Sequence, residues 1–288
     1  MKGRQPASFI KPYHFLLALT LFGPGFPAVV PAQTLSPDSG RIVKDVSAEG
    51  SCAIVGMTAE QCQLLALQRA RASAIEQAAG VSVTSSTLVT SSVLAADFIK
   101  TYSKGFIVNE KAAWLPLGQY QRDQATAPIP EYRVRIIADV FIPQKKIRPL
   151  GLKADLNKIS FRNGEKAALA IKTDRKARIG LFNLTADDKV MMLFPNEWEK
   201  DNLAPGEETV GFPGPQSRIE LVMQTLPGHR RDAEAFMVAA LDPDLERNFP
   251  DLFPLGRPMA FSEFFKKYSE VAEHAEDVIL TYEVVGEK

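Results

Sequence analysis

Cysteine is nearly absent from this chain, with Cys52 and Cys62 the only two in 288 residues. Histidine is almost as scarce, and His14, His229 and His274 are the full set. A zinc shell takes four ligands drawn mostly from those two residue types, so a metal site is not expected. A Cys/His or Ser/His nucleophile lacks its raw material for the same reason. No Gly-x-Ser-x-Gly, phosphate-binding loop or Gly-x-Gly-x-x-Gly occurs. Charge of one sign is missing too, since 34 Lys and Arg balance 34 Asp and Glu. Nucleic acid calls for a concentrated basic patch, and none is present. No apolar run reaches the roughly 20 residues that a membrane-spanning helix needs. The acidic loop around Asp242, Asp244, Glu246 and Asp251 lacks the calcium-loop pattern and reads as solvated. The expectation is a protein with no cofactor and no metal, and not an enzyme.

What is present begins at the N-terminus. Lys2, Arg4 and Lys11 precede the apolar run Phe15 to Phe22, then Pro24 and Pro27, then Val30-Pro31-Ala32. Positive, apolar and small residues in that order make a secretory signal peptide over residues 1–32, cleaved after Ala32. Gln33 would follow the cut, where a lipid anchor requires cysteine. An exported, periplasmic protein without a lipid anchor is expected. Losing Lys2, Arg4 and Lys11 leaves 31 basic residues against 34 acidic ones, a net of −3. In an oxidising compartment an even cysteine count suggests a disulfide between Cys52 and Cys62. Closing so short a loop stabilises by roughly 2–3 kcal/mol in the chain-entropy picture.

Residues 33–40 are polar and breaker-rich, a disordered lead-in. Residues 41–142 read as a first domain. Arg41 to Val55 alternates loosely and reads as one or two strands, with Gly50 a turn or bulge. Thr58-Ala59-Glu60-Gln61 is a capping box ahead of an alanine-rich helix that Gly80 ends. Leu65, Ala72, Ile75 and Ala79 share one helix face, with Arg69, Arg71 and Glu76 largely off it. A strand over 81–90, a helix over 93–102, a strand over 106–117, a loop over 118–130 and a strand over 131–142 follow. The order is α+β, with helices on one face of a sheet. The helix ALQRARASAIEQAAG, the run VSVTSSTLV, the stretch FIKTYSKGFI and the terminal strand resemble the N-terminal domain of flagellar assembly protein T and related envelope lipoproteins. That resemblance implies an α+β envelope module and carries no catalytic residue.

Residues 143–151 read as a linker and 152–288 as a second domain. Short strands are expected at 159–161, 167–173, 178–184, 190–194, 218–224, 235–241 and 278–285, with a turn at 162–165. That rhythm argues for a β-sandwich. One C-terminal helix is expected from Ser262, as its cap, to Glu273. Residues 159 to about 285 resemble the domain of unknown function 4384, on ISFRNGEK, on LFPN, and on Asn202, Leu203 and Gly206. Gly164, Glu165, Leu193, Phe194, Pro195, Asn196 and Gly206 carry the structural motif. The loop from Asn196 to Gly206 contains Trp198, Asn202 and Leu203, and these with Asn196 form the candidate interaction surface.

The reading that follows is a non-enzymatic accessory protein binding other cell-envelope components, in a scaffold or assembly role. The alternative is a module holding a glycan or peptidoglycan fragment on exposed aromatics, for which Trp198, Phe212 and Phe249 are candidates. Partners are expected among cell-envelope proteins.

Overall fold

The computed structural model describes residues 40–80, 101–102, 104–121 and 123–286. The expected strand over 81–90 and most of the helix over 93–102 lie outside those residues, as do the signal peptide and nearly all of the lead-in. The fold is α+β and mostly sheet. No helix among the described residues is long and apolar enough to cross a membrane.

The first layer is an antiparallel sheet. Strands β1 (Arg41–Ala53) and β2 (Phe106–Trp114) flank β4 (Ile129–Ile142), and β3 (Gly118–Tyr120) also pairs with β4. Strand β3 falls inside the stretch expected to be a loop. Val134, Ile136, Ala138 and Val140 alternate inward along β4, and Arg133, Arg135 and Ile137 alternate outward. Helix α1 (Ala59–Ala79) covers the inner face. Its capping box forms as expected. Thr58 Oγ1 accepts from the Gln61 amide at 3.2 Å, and Gln61 Oε1 accepts from the Thr58 amide at 3.0 Å. Gly80 closes the helix in the left-handed conformation at φ 72°. Cys52 and Cys62 are bridged, with Cα atoms 5.5 Å apart, so β1 is tied to the first turn of α1.

Gly50 is neither turn nor bulge. It sits in continuous strand opposite Val134, and the irregularity lies at 43–46, where Asp45 has a φ of 55°. A Cβ on Gly50 would stand 2.0 Å from the Ala66 carbonyl oxygen and 2.5 Å from the Ala70 nitrogen. The glycine exists because α1 lies directly on the strand. Ala66, Ala70 and Ala74, all fully buried, present the small surface that permits this approach.

The second part is built on a seven-stranded sheet in the order β15-β10-β9-β14-β16-β6, with β11 also paired to β9. These strands are β6 (Ser160–Arg162), β9 (Ala177–Thr185), β10 (Lys189–Phe194), β11 (Leu203–Ala204), β14 (Arg231–Leu241), β15 (Met259–Ala260) and β16 (Ala275–Val285). Two smaller sheets accompany it. One joins β12 (Thr209–Phe212), β8 (Leu169–Lys172) and β5 (Lys153–Leu156); the other joins β13 (Leu221–Val222) to β7 (Lys166–Ala167). The strand expected over 218–224 is only the two residues of β13.

Strand β14 is buried on both sides, which explains its unbroken apolar run. Phe236, Val238 and Ala240 point into a core with Leu169, Ile171, Phe161 and Phe212. That half is sandwich-like, sheet against small sheet. Ala235, Met237, Ala239 and Leu241 point the other way, into a core with Phe249, Phe264 and Phe265. Helices α2 (Phe249–Leu252) and α3 (Phe261–Tyr268) supply those rings. Helix α3 begins one residue before the expected cap. Its N-cap is Ala260, with no side-chain hydrogen bond, and Ser262 lies inside the first turn. The helix ends at Tyr268, and a 3-10 turn at Ala272–His274 replaces its expected last turn.

The helix-side core is continuous with the first layer. Phe106 of β2 stacks on Phe265 with ring centroids 5.5 Å apart and meets Tyr268 edge-on at 5.3 Å. Residues 143–151, expected as a linker, lie against the chain's C-terminal part. Lys145 Nζ donates to the carbonyls of Ala272 and Ala275, and Glu276 accepts from the amides of Leu150 and Leu152.

Gly50→Ala forces the helix off the strand. It is expected to lower stability by about 3 kcal/mol, the upper range for overpacking a close contact, read as a fall in the thermal midpoint, while Gly118→Ala, where the nearest atom is 3.4 Å away, changes little.

Candidate functional site

Two places carry unusual chemistry: a buried charge cluster between the layers, and a surface loop that presents a tryptophan.

Arg71 was expected off the packed face of α1. It is instead 3% exposed. Its Nε and Nη2 donate to both oxygens of Glu110 on β2, at 2.9 and 2.5 Å, and its Nη1 donates to Asp188 Oδ1 at 2.6 Å. The guanidinium carbon lies 5.4 Å from the centre of the Phe261 ring. Asp188 sits in the β9–β10 turn at φ 63°, and its carbonyl accepts from the Phe261 amide at the start of α3. One cation therefore holds α1, β2 and a hairpin turn together. A fork of five donors suits that task, and a lysine would not supply it.

The charges are unequal. Burial alone would weaken the Arg71 charge, but the hydrogen bond to Glu110 and the surrounding anions hold it above its ordinary range. Burial pushes the Asp188 carboxyl up. Arg71 pulls it down, Glu110 and Asp187 push it up again, and it stays above its ordinary value. A carboxylate raised in the folded state favours folding in acid, and loses that contribution as the pH rises through its raised value.

The loop from Asn196 to Gly206 follows the Leu193-Phe194-Pro195 corner, whose Phe194-Pro195 bond is cis. Leu193 and Phe194 are half-buried against the sandwich-side core, and Phe194 lies 5.4 Å from the Phe212 ring. Asn196 is buried. Its amide nitrogen donates to the Leu193 carbonyl at 2.9 Å, and its Oδ1 accepts from the amides of Trp198 and Glu199 at 2.9 and 2.8 Å. Asn202 is also buried. It donates to the Ile179 carbonyl at 2.8 Å and exchanges hydrogen bonds with Asn248, the N-cap of α2, at 3.1 and 3.2 Å. Gly206 has a φ of 91°, and a Cβ there would stand 2.7 Å from the Arg175 carbonyl carbon. Trp198 is 71% exposed on the loop, whereas Leu203, expected on the same loop and 41% exposed, lies in β11 and pairs with Arg178 of β9.

The other motif residues form a separate turn. Glu165 accepts from the Arg162 amide at 3.0 Å and from Lys158 at 2.9 Å, and both hold its carboxyl below the ordinary range, the amide first. The Gly164 amide donates to the Met223 carbonyl. Gly164 and Glu165 thus brace the β6–β7 turn, apart from the Asn196 loop in the bonds they make.

Residues 160–232 match the protein-family model described as Domain of unknown function (DUF4384). No curated protein matches the chain. The match spans about a quarter of the 288 residues and stops short of the expected limit near 285. It holds the β6–β7 turn, the cis corner and the Trp198 loop. It ends at the second residue of β14, so the rest of that central strand and all of its neighbour β16 lie outside the DUF4384 segment. Asp188 is inside that segment, while Arg71 and Glu110 are not.

Two of the three aromatics expected to form a sugar-binding face are interior. Phe212 is 4% exposed and packs in the sandwich-side core, and Phe249 is fully buried against Phe182. Among the described residues no group of three or more His, Cys, Asp or Glu is placed to hold a metal ion. Buried acids bind neighbouring protein groups. Asp232 accepts from the Leu226 amide at 2.6 Å and lies 2.6 Å from His229 Nδ1, and Glu234 lies 2.8 Å from the Tyr282 hydroxyl.

Two outcomes test these assignments. Asp188→Asn keeps a residue suited to a left-handed turn and removes the penalised charge. Its melting temperature is expected to equal or exceed the parent's at neutral pH, with the difference fading as the pH falls. Asn196→Ala leaves one carbonyl and two amides without their partner, and is expected to cost about 2–3 kcal/mol in denaturant unfolding.

Proposed function

We propose that this protein is an exported accessory component of the bacterial cell envelope that acts by binding another envelope protein, with the loop from Asn196 to Gly206 as its contact surface. The observation that carries the reading is Trp198. A large apolar side chain stands mostly in solvent on a loop whose backbone is fixed by two buried asparagines. Tryptophan is among the residues enriched at binding hot spots, and a rigid loop loses little entropy when it docks.

Further support comes from the chain at large. Residues 1–32 have the order of a signal peptide. The Cys52–Cys62 bridge suits an oxidising compartment. The resemblance of residues 42 to 142 to the N-terminal domain of flagellar assembly protein T points to the same setting.

The test is crosslinking in intact cells that export the full chain, followed by capture. An envelope protein is expected to crosslink to the parent and to be lost with Trp198→Ala, at an unchanged melting temperature. Capture that ignores Trp198, or no capture at all, overturns the reading.

A further inference from the structure

The surroundings of Trp198 narrow the chemistry of its partner. Glu197 and Glu199 flank it, and Asp201, Glu207 and Glu208 follow, so residues 197–208 hold five carboxylates against one lysine, Lys200. Glu197, Asp201, Glu207 and Glu208 are exposed and Glu199 half-exposed. None of the five is in an ion pair among the described residues, although ion pairs are common elsewhere on this surface. The hydrogen-bonded pair Asn202 and Asn248 draws a second acidic stretch beside the loop. There Asp244 and Glu246 are exposed and likewise outside any ion pair among the described residues. Of the cations that reach this region, Arg178 donates to the backbone carbonyls of Leu245 and Arg247, Arg175 to those of Arg148 and Pro149, and Arg247 pairs with Glu270, while Lys176 is exposed near Gly206.

An exposed indole has a negative face that attracts a cation, and a planar guanidinium stacks on it well. Carboxylates beside it add attraction for the same group and repel acidic partners. We infer that the Trp198 loop docks a cationic, arginine-bearing segment of a partner protein, with a guanidinium on the indole face and Glu197 and Glu199 beside it. This rests on the reading of the loop as the contact surface and adds the chemistry of what it contacts. Trp198 gives the site its apolar anchor, and the charge around it selects the partner.

The test uses the full chain and a short labelled peptide of alternating arginine and alanine. Its counterpart carries citrulline, which keeps the shape of arginine without the charge. The arginine peptide is expected to bind, and the citrulline peptide to fail. Trp198→Ala and the double variant Glu197→Gln, Glu199→Gln are each expected to weaken binding about tenfold, with unchanged melting temperatures. Added salt is expected to weaken the parent's binding. Equal binding of the two peptides, no binding of either, or indifference to either variant overturns the inference. Crosslinked capture in cells separates the two levels. A partner that needs Trp198 but not Glu197 and Glu199 removes the cationic segment and leaves the contact surface standing. Capture indifferent to Trp198 removes both.

Discussion

A single buried guanidinium sets how the parts of this protein lie against each other. Arg71 comes from α1, Glu110 from β2, and Asp188 from the β9–β10 turn. A buried charge without partners is expensive, so these bonds tolerate little displacement. Their main consequence is orientation. Buried ion pairs contribute little net stability against a well-packed apolar alternative, but a wrong arrangement strands a charge. The energy that holds the layers together comes from the rings beside the cluster, where Phe106, Phe265 and Tyr268 close a core shared by β2 and α3.

The same cluster places the DUF4384 segment within the larger fold. Its hairpin turn carries Asp188, and its strand β10 runs from that turn to the cis corner and on to the Trp198 loop. The loop is therefore fixed at one end by a strand whose start is gripped by α1. At its other end Asn202 ties it to β9 and α2. Trp198 stands in solvent on a backbone held at both ends.

Local signals were legible where the cause is local. The capping box at Thr58, the helix stop at Gly80 and the cysteine pair ten residues apart depend on a few neighbours, and each appears in place. The Asn196 corner was readable because an asparagine after proline fixes its own turn. Misreadings came where a distant partner decides. Arg71 was placed off the packed face because a charge counts as polar in any periodicity, yet Glu110, far away in sequence, makes its burial possible. Gly50 looked like a turn residue, and only the helix lying across it shows why no side chain fits. Phe212 and Phe249 gave no sign of which surface they faced, since an aromatic serves a core and a binding face equally well.

By itself, the sequence determined the α+β character, the long alanine-rich helix, most of the longer strands and the loop that holds Trp198. Those features depend on periodicity, caps and turn residues within a few positions of one another. Only the tertiary structure decided that β14 is buried on both faces, that the stretch between the expected domains is bound to the C-terminal part, and that Arg71 lies at the meeting point of three elements. Such facts depend on contacts between residues dozens to hundreds of positions apart, and no local pattern encodes which distant group will arrive.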